Sequence, residues 1–469
     1  MDSYPKTDNP HTRAIADFVS GLTYEKIPAE VRERIKLLML DSLGCAVYGA
    51  NLEWCAILRS ILEKLDTTRT TSIWGSDARL SSDHAALVNG TQVQGFELDD
   101  VHRKAVLHVG AVTLPALIAV AESHVRLSGR DFLTAAVAGY EIGPRVGLCM
   151  GQEHIGQGWH SGATVGIFSA AAGAARALKL NPEQTVHALG IAGTQSCGLM
   201  AAQYGAMVKR MHAGRAAQSG LYGALLAAEG FTGIVDVFEA PYGGFCTTFS
   251  RSQDRFNLSA LSTDLGRNFE TMGIALKFYS CVGSNHTTLD ALAGIRKRRA
   301  FALDEVKEIV VYGSQVTADH VGWPYKPEGL TAAQLNLPFC VATLLIEGDV
   351  FVDEFKPDCV DDAARIALSR KVSVLHDPDI TALGAAHRHK VRVEVHLRDG
   401  TIERETREAP RGSEQSFAST DDIIVKFRKL TRGVMASEQQ DALIEAVLGL
   451  EDLNDSRELI GLLRLAPPS

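Results

Sequence analysis

Between Ser81 and Phe231 the chain returns again and again to one kind of segment, a helical run built largely from alanine and glycine. The runs are SSDHAALVNGTQVQG, AVTLPALIAVAESHVRLS, GRDFLTAAVAGYEIGPRVGLCM, GATVGIFSAAAGAARALKL, NPEQTVHALGIAGTQSCGLM and HAGRAAQSGLYGALLAAEGF. Few of them alternate as strands do. Glycine inside a helix costs about 1 kcal/mol against alanine, so its repeated use predicts helices whose backbones approach closely. Upstream, PAEVRERIKLLMLDSLGCAVYGANLEWCAILRSILEKL has helical spacing around Leu37, Leu40, Leu43 and Val47. Pro28 suits a first helical turn there and Gly49 suits a stop.

The texture changes after EAPYGGFCTTFSRSQDRFNLSALSTDLG. VKEIVVYGSQVTADHV and HKVRVEVHLRDGTIERETRE alternate as half-buried strands do, and LRDGTIE carries the Asp-Gly hairpin signal. Helical candidates lie between them at SNHTTLDALAGIRKRR and AAQLNLPFCVATLLIEGD. The tail returns to helical pattern. The expected fold is mainly α: a large all-helical domain over 8–268, completed by C-terminal helices at about 415–465, and a smaller α+β lid domain over 269–412.

Composition excludes several classes. With 46% hydrophobic and 22% charged residues the chain is ordinary globular protein. A net charge of -9 argues against a nucleic-acid partner but allows an anionic small substrate, because a pocket can be locally basic. Eight scattered cysteines, none in a C-x-x-C pair, read as reduced thiols rather than a disulfide framework, a zinc site or an iron–sulfur site. The N-terminus shows no apolar signal region, and no stretch reaches the roughly 18 uninterrupted apolar residues of a membrane helix. The expectation is a cytoplasmic protein with no membrane partner.

Four segments carry titratable groups against this apolar background. GFELDDVHRKAVLH packs Glu97, Asp99, Asp100, His102 and His108 into fourteen positions, a costly set unless paired, solvated or used. His102 and His108 are six apart and share no helical face, and the carboxylates lack the spacing of a cation loop, so no metal site is expected. GQGWHSGATVG sets His160 between glycines at the entrance to a small-residue helix, where it either approaches a ligand or caps the helix. QYGAMVKRMHAGRAAQSG holds Lys209, Arg210, His212 and Arg215, which either bind a carboxylate or form a solvated helix start. IALKFYSCVGSNHTTLDAL places Lys277 in an apolar run near the domain boundary, with His286 following at a helix start. Neither a Walker loop nor a dinucleotide fingerprint is present, and no cofactor is expected. Histidines and cations without a metal motif suit proton abstraction beside a carboxylate, or decarboxylation.

In the same four places, ELDDVHRKAVLH, GWHSGATVG, YGAMVKRMHAGRAAQSG and ALKFYSCVGSNH, the chain resembles the MmgE/PrpD (2-methylcitrate dehydratase) family, and most of all its cis-aconitate decarboxylase branch. The resemblance implies a helical domain with an α+β lid, a homodimer, no metal or organic cofactor, and a small di- or tricarboxylate substrate. It further implies that His108 and His160 are catalytic, with Glu97 or Asp100 orienting a histidine. Lys209 and Lys277 then hold substrate carboxylates, joined by His212 and by Gln94 of QGFELDD. Departures from the family pattern are Glu97 for the first Asp of D-F-D-D, Val101 for Thr, LHVG for H-P-S, and Cys340 near a common Tyr. The activities implied are decarboxylation of cis-aconitate or a close analogue, dehydration of 2-methylcitrate, or epimerisation of an iminodisuccinate-like diacid. A non-catalytic carboxylate-binding or assembly role is the alternative outside enzymes.

Overall fold

The computed structural model describes residues 8–151, 153–204, 206–384 and 387–465. They form two compact units, Met1–Gly95 with Asp99–Ala275 and Ser419–Ser469, and Phe96–Leu98 with Leu276–Ala418. The chain is mainly α, with one small mixed sheet in the second unit.

In the first unit the alanine- and glycine-rich runs become the helices Ser82–Val93, Val109–Ser123, Gly129–Met150, Gly166–Ala177, Pro182–Gly193 and Val208–Ala228. Local chemistry starts several of them. Ser128 Oγ accepts from the Asp131 N–H, and Asn181 and Gln184 close a reciprocal capping box ahead of Pro182. Val109–Ser123 is buried on every side from Val109 to Ala121, as a central core helix must be. The close approach expected of the glycines is clearest where Ser82–Val93 crosses Val208–Ala228. A Cβ on Gly90 would lie 2.7 Å from Gly214 Cα, and one on Gly214 would lie 2.0 Å from the Leu87 carbonyl oxygen.

The upstream segment is two helices, Ala29–Gly49 and Glu53–Leu65, bent 79° from one another. Pro28 stands at the N-cap in extended conformation, one position before the first turn. Against Ala29–Gly49 packs the C-terminal helix Thr420–Thr431, opened by a Ser419–Asp422 capping box. Its Phe427 ring sits over Gly44, and its Lys426 forms a buried ion pair with Asp41, Nζ to Oδ1 2.5 Å.

The second unit is built on four strands, β1 (Val306–Gly313), β2 (Val372–His376), β3 (Val391–Leu397) and β4 (Ile402–Arg407), in the order β2-β1-β3-β4. β1 pairs with β2 in parallel, and the other pairs are antiparallel. Val391, Val393, Val395 and Leu397 all point inward, the period-2 alternation seen in the sequence. β3 and β4 turn at Asp399-Gly400, with Gly400 at φ +88°, as the hairpin signal requires. VKEIVVYGSQVTADHV is strand only to Gly313. Ser314 then accepts from the Thr317 N–H and caps the helix Gln315–Val321. The helices Gly283–Arg298 and Leu337–Glu347 complete the unit, and Leu276 N–H and Ser280 Oγ bond to Gly412 O and Phe96 O. Among the described residues no single helix is long and apolar enough to cross a membrane.

Removing one partner of a buried ion pair leaves the other charged and unpaired. Lys426→Met is therefore expected to lower unfolding free energy by about 3–5 kcal/mol, and Lys426→Met with Asp41→Leu to recover most of it. Denaturant midpoints of the single and double variants measure this.

Candidate active site

His108 is the residue just before the helix Val109–Ser123, with its backbone extended at φ −82° and ψ 90°. Its Nδ1 lies 3.0 Å from Asp99 Oδ2, and the Asp99 carboxylate is fully buried while the ring remains 13% exposed. A carboxylate that accepts Nδ1–H leaves Nε2 as the basic nitrogen, turned toward whatever reaches the exposed side. The partner is thus Asp99, where Glu97 or Asp100 was expected. Asp100 is occupied elsewhere. Its Oδ1 accepts the Gly110 N–H at 2.9 Å, and burial with the neighbouring Asp99 charge pushes its carboxyl up to about 8. At neutral pH Asp100 is a neutral acid and not a base. Gly110 cannot be replaced here, since a Cβ would fall 2.0 Å from Ser42 Oγ and 2.7 Å from the Tyr140 hydroxyl.

Beneath this pair lies Asp41, whose carboxyl is raised by burial despite Lys426. Burial lowers the Arg34 guanidinium to about 10, against the opposing pull of Asp41 and Asp100. Arg34 also donates to the Ile274 carbonyl at 2.6 Å.

The loop between Asp100 and His108 exposes Lys104 but not its histidine. His102 is buried, its Nδ1 accepts the Ala105 N–H at 3.1 Å, and its Nε2 therefore donates to Glu270 at 3.0 Å. That pairing uses His102 for structure. Val106 adopts φ +51°, a region that β-branched residues seldom enter, so the turn into His108 is held under strain.

His160 precedes the short helix Ser161–Thr164, and its N–H donates to Gly198 O at 3.2 Å. Its Nδ1 faces the Nδ1 of His212 at 3.2 Å, both rings more than nine-tenths buried. His212 is in the second turn of Val208–Ala228, one turn after Lys209 on the same helix. Burial, helped by the Lys209 charge, lowers its basicity. Gln94 follows the helix Ser82–Val93 and is buried. Neither its amide oxygen nor its nitrogen has a partner among the described residues.

In the second unit Lys277 Nζ bonds to Glu97 twice, at 3.0 Å to the carbonyl and 3.2 Å to Oε2. Glu97 adopts φ +58°, and this left-handed residue belongs with Lys277 instead of with His108. Cys340 is buried and accepts from Asn285 Nδ2 at 3.4 Å. Although burial raises the Cys281 thiol, Cys340, His286 and Lys277 together bring it down to about 6. His286 itself lies buried in the first turn of Gly283–Arg298, bonded through Nε2 to the Cys281 carbonyl. Among the described residues no three His, Cys, Asp or Glu side chains are grouped as metal ligands.

His108 beside a buried carboxylate, and His160 beside the helix that carries Lys209 and His212, are groups able to move protons and to meet an anion. The MmgE/PrpD N-terminal domain matches residues 13–257 and the MmgE/PrpD C-terminal domain residues 279–452. The chain belongs to the MmgE/PrpD family. It is 36% identical to a cis-aconitate decarboxylase-like protein, oryM, of Aspergillus oryzae, covering 96% of this chain and 97% of that one. It is 32% identical to a cis-aconitate decarboxylase of Aspergillus terreus (96% and 95%), and 22% identical to a mitochondrial 2-methylcitrate dehydratase of Yarrowia lipolytica (94% and 88%). With such relatives along nearly its whole length, the chain is a lyase of the carboxy-lyase kind.

The raised Asp100 carboxyl has a consequence for stability. Its folded value of about 8 lies above the ordinary value near 4, so the folded state holds an extra proton between the two. Its contribution is fully present below the ordinary value and is lost as pH rises through about 8. Asp100→Asn keeps the acceptor for Gly110 and removes this dependence. Thermal midpoints measured from pH 5 to about 9 should fall more steeply for the natural protein than for the variant. Parallel profiles would show that Asp100 is ionised throughout.

Proposed function

We propose that this protein decarboxylates cis-aconitate or a close tricarboxylate analogue, using histidine acid–base chemistry and no metal or organic cofactor. The observation that carries the proton-transfer part is His108 held by the buried Asp99 carboxylate. The substrate class rests on the decarboxylases named among its relatives. Lys209 supplies a cation near His160 and His212, and the amide of Gln94, which has no partner among the described residues, can both donate to and accept from a polyoxygenated anion. Lys277 keeps the role that the family pattern gives it, that of a carboxylate contact, with Glu97 as the group that shares it.

Loss of carbon dioxide leaves an electron pair on the substrate carbon, and that carbon must take up a proton. Each turnover therefore consumes one proton. His160, beside His212 and the helix that carries Lys209, is suited to give it. His108, with Nε2 basic, orients the acid or relays a proton from a substrate carboxyl. Decarboxylation is favoured over dehydration because the relatives at 32–36% identity are named as decarboxylases, while the dehydratase shares 22%. In a homodimer, the state the resemblance implies, each chain would carry its own set of these residues.

Mass spectrometry after incubation with cis-aconitate, 2-methylcitrate and a chiral iminodiacid separates the readings. Loss of carbon dioxide from cis-aconitate alone is expected, and loss of water from 2-methylcitrate alone would sink the proposal. His108→Ala and His160→Ala should each lower turnover by at least about 100-fold, and Asp99→Asn by about ten-fold or more. A chelator should leave the rate unchanged.

A further inference from the structure

We infer that His102, held by Glu270, is a positioning residue for His108: its ring clamps the strained turn that sets His108 against Asp99. The catalytic weight of this clamp rests on the reading of His108 as the base, and its existence rests on geometry.

The turn is a closed loop of four residues. His102 N–H donates to Leu107 O at 2.8 Å, and Leu107 N–H returns to His102 O at 3.3 Å. Arg103 to Val106 make up the loop, and His108 stands one residue beyond its closing pair. Val106 ends the loop half-buried at φ +51°. Glycine enters that region freely and a β-branched residue does not, so the conformation persists only where its surroundings over-determine it. A return of Val106 to negative φ would turn Leu107 and His108 with it, away from the 3.0 Å contact with Asp99.

The surroundings that hold the loop converge on His102. Inside the loop the Ala105 N–H donates to His102 Nδ1 at 3.1 Å, and Ala105 is buried, so without that acceptor its N–H would be left unpaired. On the other side Ala105 is pressed onto the helix Gly129–Met150, where a Cβ on Gly147 would lie 2.6 Å from its own Cβ. A neutral imidazole accepts at Nδ1 only when its hydrogen is on Nε2, and Glu270 Oε2, at 3.0 Å, holds that hydrogen there. Burial raises the Glu270 carboxyl, but His102, with Arg145 and Lys104, brings it below its ordinary value, so it is an ionised acceptor. Glu270 is itself anchored to the same long helix. Its N–H donates to Glu141 Oε2 at 2.7 Å, and Glu141 Oε1 accepts from Arg145 Nε at 2.7 Å. A Cβ on Gly273 would fall 2.7 Å from His102 Nε2, so the ring is confined between that turn and the loop it clamps.

Glu270→Leu removes the acceptor that fixes the tautomer, whereas Glu270→Gln keeps an oxygen for Nε2–H. On cis-aconitate, Glu270→Leu is expected to lower kcat by about ten- to 100-fold with KM within about two-fold, and Glu270→Gln to stay within about three-fold of the natural rate. Glycine holds the left-handed turn unaided, so adding Val106→Gly to Glu270→Leu should bring kcat back to within about three-fold. Loss of stability alone would not be repaired by that glycine. Natural kcat in Glu270→Leu, an equal loss in Glu270→Gln, a loss confined to KM, or a loss that glycine does not recover would overturn the clamp. A second measurement needs no substrate and uses ligand-free protein labelled with 15N-histidine. His102, identified as the ring moved by Glu270→Gln, should show a bare Nδ1, and a protonated one overturns the clamp even if Glu270→Leu does not fold. The Nδ1–H signal of His108, identified by its absence from His108→Ala, should shift or vanish in Glu270→Leu, and an unmoved signal there counts equally against it. Inactivity of the unmutated protein on every carboxylate would overturn the decarboxylase reading and leave these two signals to decide the clamp.

Discussion

Three carboxyl groups buried together under a histidine are the constraint around which the first unit is arranged. Asp41, Asp99 and Asp100 are each almost wholly removed from water. Three unscreened negative charges at such distances would cost several kcal/mol apiece. The structure meets this in three different ways. Asp41 is given the ammonium of Lys426, Asp100 keeps its proton and binds a backbone N–H, and Asp99 is given His108. The partners come from far apart in the chain: the first long helix, the ELDD loop and the C-terminal helix Thr420–Thr431. The tail is thus part of the support for the candidate base His108 as well as of the hydrophobic core.

A division of labour among similar residues follows. Four histidines, at 102, 108, 160 and 212, occupy the neighbourhood of the candidate chemistry, and each is defined by what its nitrogens meet. Glu270 and a backbone N–H take both nitrogens of His102, a buried carboxylate takes one of His108, and His160 and His212 take one of each other. Burial sets the direction of the His212 and His154 basicities, and in both cases it favours the neutral ring.

The helices of the first unit were legible because small-residue periodicity and cap chemistry are local signals, as at Asn181-Pro182 and Ser419. The hairpin at Asp399-Gly400 was legible for the same reason. β2 was not, because a five-residue strand with mostly exposed side chains has no strong pattern, and its parallel pairing to β1 is a long-range choice. At the candidate site, motif resemblance pointed to His108, His160 and Lys277. Which carboxylate serves which base was not. Glu97, Asp99 and Asp100 are chemically alike and nearly adjacent, and the left-handed backbone at Glu97 sends it to Lys277 while Asp99 meets His108. The pairing of His102 was likewise not legible, since its partner Glu270 is 168 residues away in sequence.

Gly110 bears on how such an enzyme can diversify. Its Cα is pressed against Ser42 and Tyr140, and its N–H is committed to Asp100, two positions from His108. No larger residue fits without moving the carboxylate cluster, so the backbone that carries His108 has almost no neighbouring sequence to drift into. New substrate preferences in this lineage would have to arise at side chains such as Gln94, Lys209 or Cys340. The base would stay where it is while its surroundings change.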